Sequence, residues 1–292
     1  MANLKDLRNR IASVTSTQKI TKAMKMVSAS KLKRAQEAAE SARPYAERME
    51  NVLSSLASSM KGQVGGPKLL AGTGSDQKQL VVVATSERGL CGGFNTNIIR
   101  AAKIKINELL SEGKDVTIIT IGKKGQGVLK REYSDKMIEH FDMSHVKNLN
   151  FDDASPISAR LIEKFRAGDF DVCTLFFAKF INVLTQKVTP LQLIPASFDE
   201  ENGTDLGGAC YEYEPDENEI LEDLLPRNVG VQLFRALLEN AASEQGSRMT
   251  AMDNATRNAG DMIDSLRTTY NRSRQAVITN ELIEIISGAE AL

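Results

Sequence analysis

Residues 242–292 read ASEQGSRMTAMDNATRNAGDMIDSLRTTYNRSRQAVITNELIEIISGAEAL, and the hydrophobic period of this stretch decides the fold. A seam runs through Leu238, Ala242, Gln245, Met249, Met252, Ala255, Ala259, Ile263, Leu266, Tyr270, Ser273 and Val277. Steps of three and four keep one narrow stripe of an α-helix against a neighbour. No Pro occurs after Glu239, and the only glycines before the tail are Gly246 and Gly260. The spacing predicts one uninterrupted helix of roughly 75 Å, longer than a compact domain needs.

At the other end of the chain, Leu4, Leu7, Ile11 and Val14 form a matching stripe, with Asn3 and Asp6 placed as a capping box. Ser13–Thr17 (SVTST) is a poor helix-forming run. Apolar residues then resume in a shifted phase at Ile20, Met24, Val27, Leu32, Ala35, Ala39, Ala42, Met49, Val52 and Leu56. Such a shift is the mark of a stutter that locally unwinds a supercoil. Pro44 should bend the helix or bound it, and KGQVGGPKLLAGTGSD after it reads as a flexible connection. The two rods are expected to pair as an antiparallel coiled coil. The second outruns the first by about fourteen residues, or about 20 Å. In that overhang Val277, Ile278, Leu282, Ile283, Ile285 and Ile286 are apolar nearly all round. A helix apolar on every side must be buried on every side, so a sleeve made by other chains is expected there.

Between the rods, Gln79–Ala84, Val116–Ile121, Asp171–Lys179 and Gln186–Ile194 read as strands. Helices are expected from Thr96 to about Leu110, after GKKGQGVLKRE, and from Ser155 as cap with Pro156 in the first turn. The alternation predicts an inserted Rossmann-like three-layer α/β domain with a mainly parallel sheet. The fold class is therefore α/β with long helices. Residues 1–75 and 210–292 form the coiled-coil shaft, and 76–209 the α/β domain. Asp216 with Glu219 is a plausible cap for the last helix, which Pro226 should kink or restart.

Composition narrows the function. Trp is absent and aromatics make up 5% of the chain, which favours thin helical seams over a thick core throughout. Net charge is −1, so no global field demands nucleic acid or membrane. Charge is nevertheless segregated: residues 1–34 hold nine Lys/Arg against Asp6 alone, while 197–225 hold eleven Asp/Glu and no Lys or Arg. The basic run is by default a solvated helix face. It lacks the aromatic interleaving of a nucleic-acid module, and docking against an acidic protein surface is a third option. Cys91, Cys173 and Cys210 form no CxxC pair, and His140 and His145 are the only histidines. Neither a disulfide framework nor a zinc site is expected, and the compartment should be reducing. MANLKDLRNR lacks the apolar core of a signal peptide, and no run approaches eighteen apolar residues.

Two glycine-rich loops invite a phosphate-binding reading. Gly89–Asn95 (GLCGGFN) lacks the G-x-G-x-x-G spacing, and Gly122–Gly127 (GKKGQG) lacks the Lys-Ser/Thr of a P-loop. Both read as structural tight turns. Asp152–Asp153 and Asp199–Glu201 look like surface loops with no base tied to them by spacing, and the histidines like ordinary surface residues. No catalytic residue, cofactor or metal is expected.

Four segments carry a resemblance: Leu7–Gln36 (LRNRIASVTSTQKITKAMKMVSASKLKRAQ), Ser86–Asn95 (SERGLCGGFN), Tyr211–Asp216 (YEYEPD), and Glu239–Ile263 continued by Tyr270–Leu292. Together they resemble the gamma chain of bacterial F-type ATP synthase, the central rotor shaft. The resemblance implies a non-catalytic subunit of a proton-translocating complex, peripheral on the cytoplasmic face of the bacterial inner membrane. Implied partners are the alpha and beta chains of the catalytic hexamer, the epsilon chain and the c-ring, with no nucleic acid and no nucleotide bound directly. By the same resemblance Lys22, Met24 and Lys25 face the lever of beta. Arg274 and Gln275 match the catch contact, Thr279 and Glu281 communicate with it, and Leu282 and Ile285 sit in the hexamer sleeve. Tyr211 and Glu214 match residues touching the c-ring. Cys210 alone in its loop does not support the paired-cysteine redox switch of plant chloroplast forms.

Overall fold

The computed structural model describes residues 4–59, 67–196 and 217–290. In chain order the elements are α1 (Leu4–Ser59), α2 (Lys68–Ala71), β1 (Lys78–Ala84), α3 (Phe94–Ser111), β2 (Asp115–Ile121), α4 (Lys123–Tyr133), β3 (Met137–Phe141), α5 (Phe151–Ala167), β4 (Val172–Phe180), β5 (Gln186–Ile194) and α6 (Glu217–Glu290). They form two compact units, one from Met1–Ala29 with Arg248–Leu292 and one from Ser30–Ser247.

The larger unit is built on a sheet of order β3-β2-β1-β4-β5, parallel except for β5. A buried parallel strand must be apolar on both faces, and QLVVVA meets that need. Leu80, Val82 and Ala84 face a core shared with Ile157, Leu161 and Phe165 of α5, Met49 and Leu53 of α1, and Leu225, Val229 and Leu233 of α6. Val81 and Val83 face the opposite core, with Ile98, Ala102 and Ile106 of α3 and Leu129 of α4. The three layers expected from the sequence are present. The α5 helix starts earlier than expected. Asn150 is its cap, Asp153 accepts the Asn150 N–H at 2.9 Å to close a capping box, and Pro156 lies inside it. Asp152 and Asp153 thus form a first helical turn, where their charge suits the helix dipole, and are not a surface loop. The edge strand β3 escaped the sequence reading because MIEHF is half polar and short. Residues Lys68–Ala71, expected to be flexible connection, make a helical turn that buries Leu69.

The smaller unit pairs the first part of α1 with the last part of α6. Arg8 meets Tyr270, Thr21 meets Thr256 and Lys25 meets Asp253, so the helices run antiparallel. SVTST stays helical: Thr15 and Thr17 donate back to the carbonyls of Ile11 and Ser13, satisfying their hydroxyls within the helix. The expected phase shift is absent. The seam of α1 keeps its spacing through Leu4, Leu7, Ile11, Val14, Gln18, Thr21, Lys25 and Ser28, all buried or half-buried, while Ile20 and Val27 are 57% and 56% exposed. Apolar residues leave the seam and polar ones occupy it, which imitates a stutter in a hydrophobicity pattern. The helices also pass through Pro44 and Pro226 without ending. The caps assigned to Asn3 and Asp216 lie outside the described residues.

Candidate functional site

In an open α/β sheet, ligands bind in the crevice at the carboxyl ends of the strands where the strand order reverses. Here the chain goes from β1 outward to β2 and β3, then returns to β4 on the other side of β1. The crevice therefore lies between β1 and β4, and the loop Gly89–Asn95 opens into it. It is filled by the chain itself. The β1–β4 ladder ends at Val83 and Phe176. Two residues further along β4, Ala178 presents its backbone groups where β1 no longer runs. Asn240 Oδ1 accepts the Ala178 N–H at 3.0 Å, and Ser243 Oγ donates to the Ala178 carbonyl at 2.8 Å. One turn on, Ser247 donates to the Cys91 carbonyl at 2.7 Å. Ser243 is 0% exposed. Two side chains of α6 thus pair the strand where β1 has ended, and a third pairs the loop after β1, meeting the requirement that buried backbone groups be paired. Gly246 lies between them; a Cβ there would stand 3.2 Å from the Phe180 ring, a tight fit.

The glycine-rich loops are consumed in the same way. Thr85 Oγ1 accepts the Gly125 N–H at 2.8 Å and also lies 3.2 Å from the carbonyls of Ile121 and Gly122. A Cβ on Gly122 would stand 2.3 Å from the Thr85 carbonyl oxygen, and φ there is +90°. These glycines admit backbone, not phosphate. In the first loop Asn95 Oδ1 accepts the Ser86 N–H at 3.0 Å while its Nδ2 lies 3.2 Å from Cys91 Sγ. The tight-turn expectation describes Gly89–Asn95; in the second stretch only Gly122 turns the chain, because Lys123–Tyr133 is α4, which begins inside GKKGQGVLKRE and not after it. Cys91 and Cys173 are buried free thiols, and burial pushes the Cys173 thiol well above its ordinary value. His145 is exposed, but His140 is not a plain surface residue. It is half-buried on β3 with Nδ1 3.0 Å from Thr120 Oγ1. Among the described residues no cluster of His, Cys, Asp and Glu could hold a metal.

The smaller unit carries most of the residues singled out from the sequence. Lys22 is exposed and Met24 half-buried on α1. Lys25 is engaged within the chain, its ammonium 2.6 Å from Asp253, and this hydrogen bond holds the Asp253 carboxyl below its ordinary value. Arg8 donates to the Tyr270 hydroxyl at 3.0 Å, which lowers the phenol's pKa. Carried along α6, this register sets Arg274 level with the start of α1. The seam ends at Val277, and beyond it every described side chain is exposed: Ile278, Leu282, Ile283, Ile285 and Ile286 among them, Ile285 by 67%. Arg274, Gln275, Thr279 and Glu281 are exposed at the root of this tip. Tyr211 and Glu214 lie outside the described residues. Asn240, Ser243 and Ser247 were missed in the sequence; the available signal was a polar i, i+3, i+7 row beside Leu237, Leu238 and Ala242.

What these features define is a helical pair with an inserted α/β domain, whose ligand crevice is closed by its own helix and whose free end is apolar. The family model described as ATP synthase matches residues 3–292. The ATP synthase gamma chain of Parvibaculum lavamentivorans is 62% identical over 294 residues, covering all of both chains, and that of Paracoccus denitrificans 59% over 292 residues, again covering both fully. Among solved structures, a chain of the Tetrahymena thermophila mitochondrial ATP synthase central stalk and c-ring aligns with TM-score 0.60 at 27% identity, covering 81% of this chain and 99% of that one. A chain of the Euglena gracilis mitochondrial ATP synthase aligns with TM-score 0.67 over 99% and 94% at 20% identity, a likeness of fold. The chain belongs to the ATP synthase gamma chain family, the non-catalytic rotor-shaft subunits of that complex. No helix among its described residues is long and apolar enough to cross a membrane.

Proposed function

We propose that this chain is the central shaft of a proton-translocating ATP synthase, turning inside a hexamer of alpha and beta chains. Rotation imposed at the c-ring is delivered to the nucleotide sites of beta, and rotation driven by ATP hydrolysis returns to the c-ring. The observation that carries this reading is the apolar end of α6 from Ile278 to Ile286, which none of the described residues covers. A row of isoleucines in water is unfavourable by roughly 25 cal/mol per Å² of apolar surface, and a surrounding apolar collar removes that cost. Residues 1–75 and 210–292 serve as shaft and 76–209 as foot. The epsilon chain and the c-ring bind the foot, with Tyr211 and Glu214 at the c-ring, on the cytoplasmic face of the inner membrane.

Lys22 and Met24 meet the lever of beta. Lys25 lies beside them at the lever, its charge largely offset by Asp253. Arg274 and Gln275 engage the catch of beta, with Thr279 and Glu281 beside them. Leu282 and Ile285 turn in the sleeve. An asymmetric shaft couples distant sites because each orientation favours a different state of each beta chain. No nucleotide or cofactor binds this chain directly, since α6 fills the crevice that would take one. The test is single-molecule rotation. With the hexamer fixed to a surface and a bead attached to the foot, adding ATP should drive unidirectional stepping. Absence of this chain from the purified complex, or a bead that only diffuses, overturns the proposal.

A further inference from the structure

We infer that Asn240, Ser243 and Ser247 form a torque clamp, a set of positioning residues through which the sheet of the α/β domain grips α6. The inference rests on the rotor-shaft reading and adds to it the point where torsional load enters the helix.

The geometry is unusual in its direction. Apolar contacts such as Leu225, Val229 and Leu233 against the sheet face resist separation but resist sliding and twisting weakly, because dispersion and hydrophobic burial are nondirectional. Hydrogen bonds are directional and weaken steeply as the angle at the hydrogen falls. Those from α6 to Ala178 fix the helix both along and around its axis, since one accepts from the N–H and the other donates to the C=O of a single residue. The bond from Ser247 to the Cys91 carbonyl adds a second anchor on the loop after β1, on the far side of the crevice. Gly246 lies between these residues, and the Phe180 ring packs close over it. The bonded backbone belongs to the inner strand β4, just past the end of its ladder with β1, and to the loop leaving the central strand β1, so both anchors adjoin the middle of the sheet. Asn240 and Ser243 are buried at 5% and 0% exposure, and water is a poor competitor for these bonds.

Loosening this grip should make the shaft compliant without touching the nucleotide sites. In the assembled ATP synthase, Ser247→Ala and Ser243→Ala, singly and together, should leave ATP hydrolysis without a proton gradient near the wild-type rate. ATP-driven proton pumping against an established gradient should fall, the double variant most. Torsional fluctuation of a bead on the foot, with the hexamer fixed, should widen. Asn240→Leu, which leaves the Ala178 N–H without its acceptor, should raise hydrogen exchange at that amide about tenfold or more, while Asn240→Asp, which keeps an acceptor, should exchange more slowly than Asn240→Leu. Unchanged pumping against a gradient in an intact double-variant complex overturns the clamp. So does a parallel fall of hydrolysis, pumping and complex yield in the single serine variants, because that pattern marks a purely structural role. Failure of the wild-type chain to rotate would instead remove the rotor reading itself.

Discussion

The two units of this chain solve the problem of holding together by opposite means. Around the sheet, Ile118, Ile119, Leu161 and Leu175 have no exposed surface and lie in cores on both faces. In the helical pair the fully buried positions are few. Leu7, Met252, Ala259 and Ile263 share the seam with Thr21, Ser28, Gln18 and Lys25. A thick core stabilises by area and tolerates little change in volume. A thin seam with polar layers stabilises less and specifies more: Thr21 with Thr256 and Lys25 with Asp253 fix one register among the many that a smooth apolar stripe would accept. A platform that holds its shape needs the first property. Two helices that must keep their alignment while being pushed from the side need the second.

That contrast is open to direct tests. The largest effect on folding should come from Leu175→Ala, costing ~2–5 kcal/mol by the usual range for buried Leu truncation. Hydrogen exchange should accelerate at β1 and β4 amides and leave the amides of Met252–Ile263 unchanged; uniform acceleration would mean the units do not differ as described. Thr21→Val should cost up to about 1 kcal/mol by removing the hydroxyl contact with Thr256, which keeps its bond to the Met252 carbonyl, and adding Thr256→Val should recover part of that. Recovery is read as restored exchange protection in the helical pair, and its absence would show the hydroxyl pair to be incidental.

A smaller effect should follow pH. The Lys25 hydrogen bond lowers the folded-state pKa of Asp253. The stabilisation this represents is complete above the ordinary carboxylate value near 4 and is lost as pH falls through the lowered folded value. Protection of the helical pair should therefore decline below about pH 4 more steeply in the wild type than in Asp253→Asn. Equal slopes would dissolve the pair's role. The smallest effect on folding belongs to truncation after Asn280, since the described side chains from 281 to 289 are exposed. Exchange in both units should be unchanged and assembly largely retained, while ATP synthesis falls. Loss of assembly with the helical pair intact would assign the tip to docking instead of coupling.

Most of the fold was legible because its signals are local. QLVVVA and VTIITI are long enough and apolar enough to be buried strands, and the α6 seam from Met249 to Val277 lies where the three-four spacing put it. What escaped legibility was tertiary in origin. The apparent stutter in α1 came from Ile20 and Val27 facing outward, and hydropathy cannot say which of two stripes a partner helix will choose. The start of α5 was misplaced because Ser155-Pro156 gives a stronger local signal than Asn150 with Asp153, although the latter closes the capping box. Of the candidate site, the apolar tip was plain in the sequence. The filling of the crevice was not, because Asn240 and Ser243 are informative only once Ala178 is known to lie beside them. The resemblance in the terminal segments supplied the family, and the carried-over contacts of Lys22, Met24 and Arg274 remain proposals to be tested in the complex.

The uncovered isoleucines at the end of α6 also constrain how a cell can manufacture this subunit. A copy without its collar presents a sticky end that will seek other greasy surfaces, including those of its own siblings. Supply must therefore be matched to the hexamer, or surplus chains shielded or destroyed, and overproduction of this one polypeptide should send it into insoluble deposits that co-expressed collar subunits prevent.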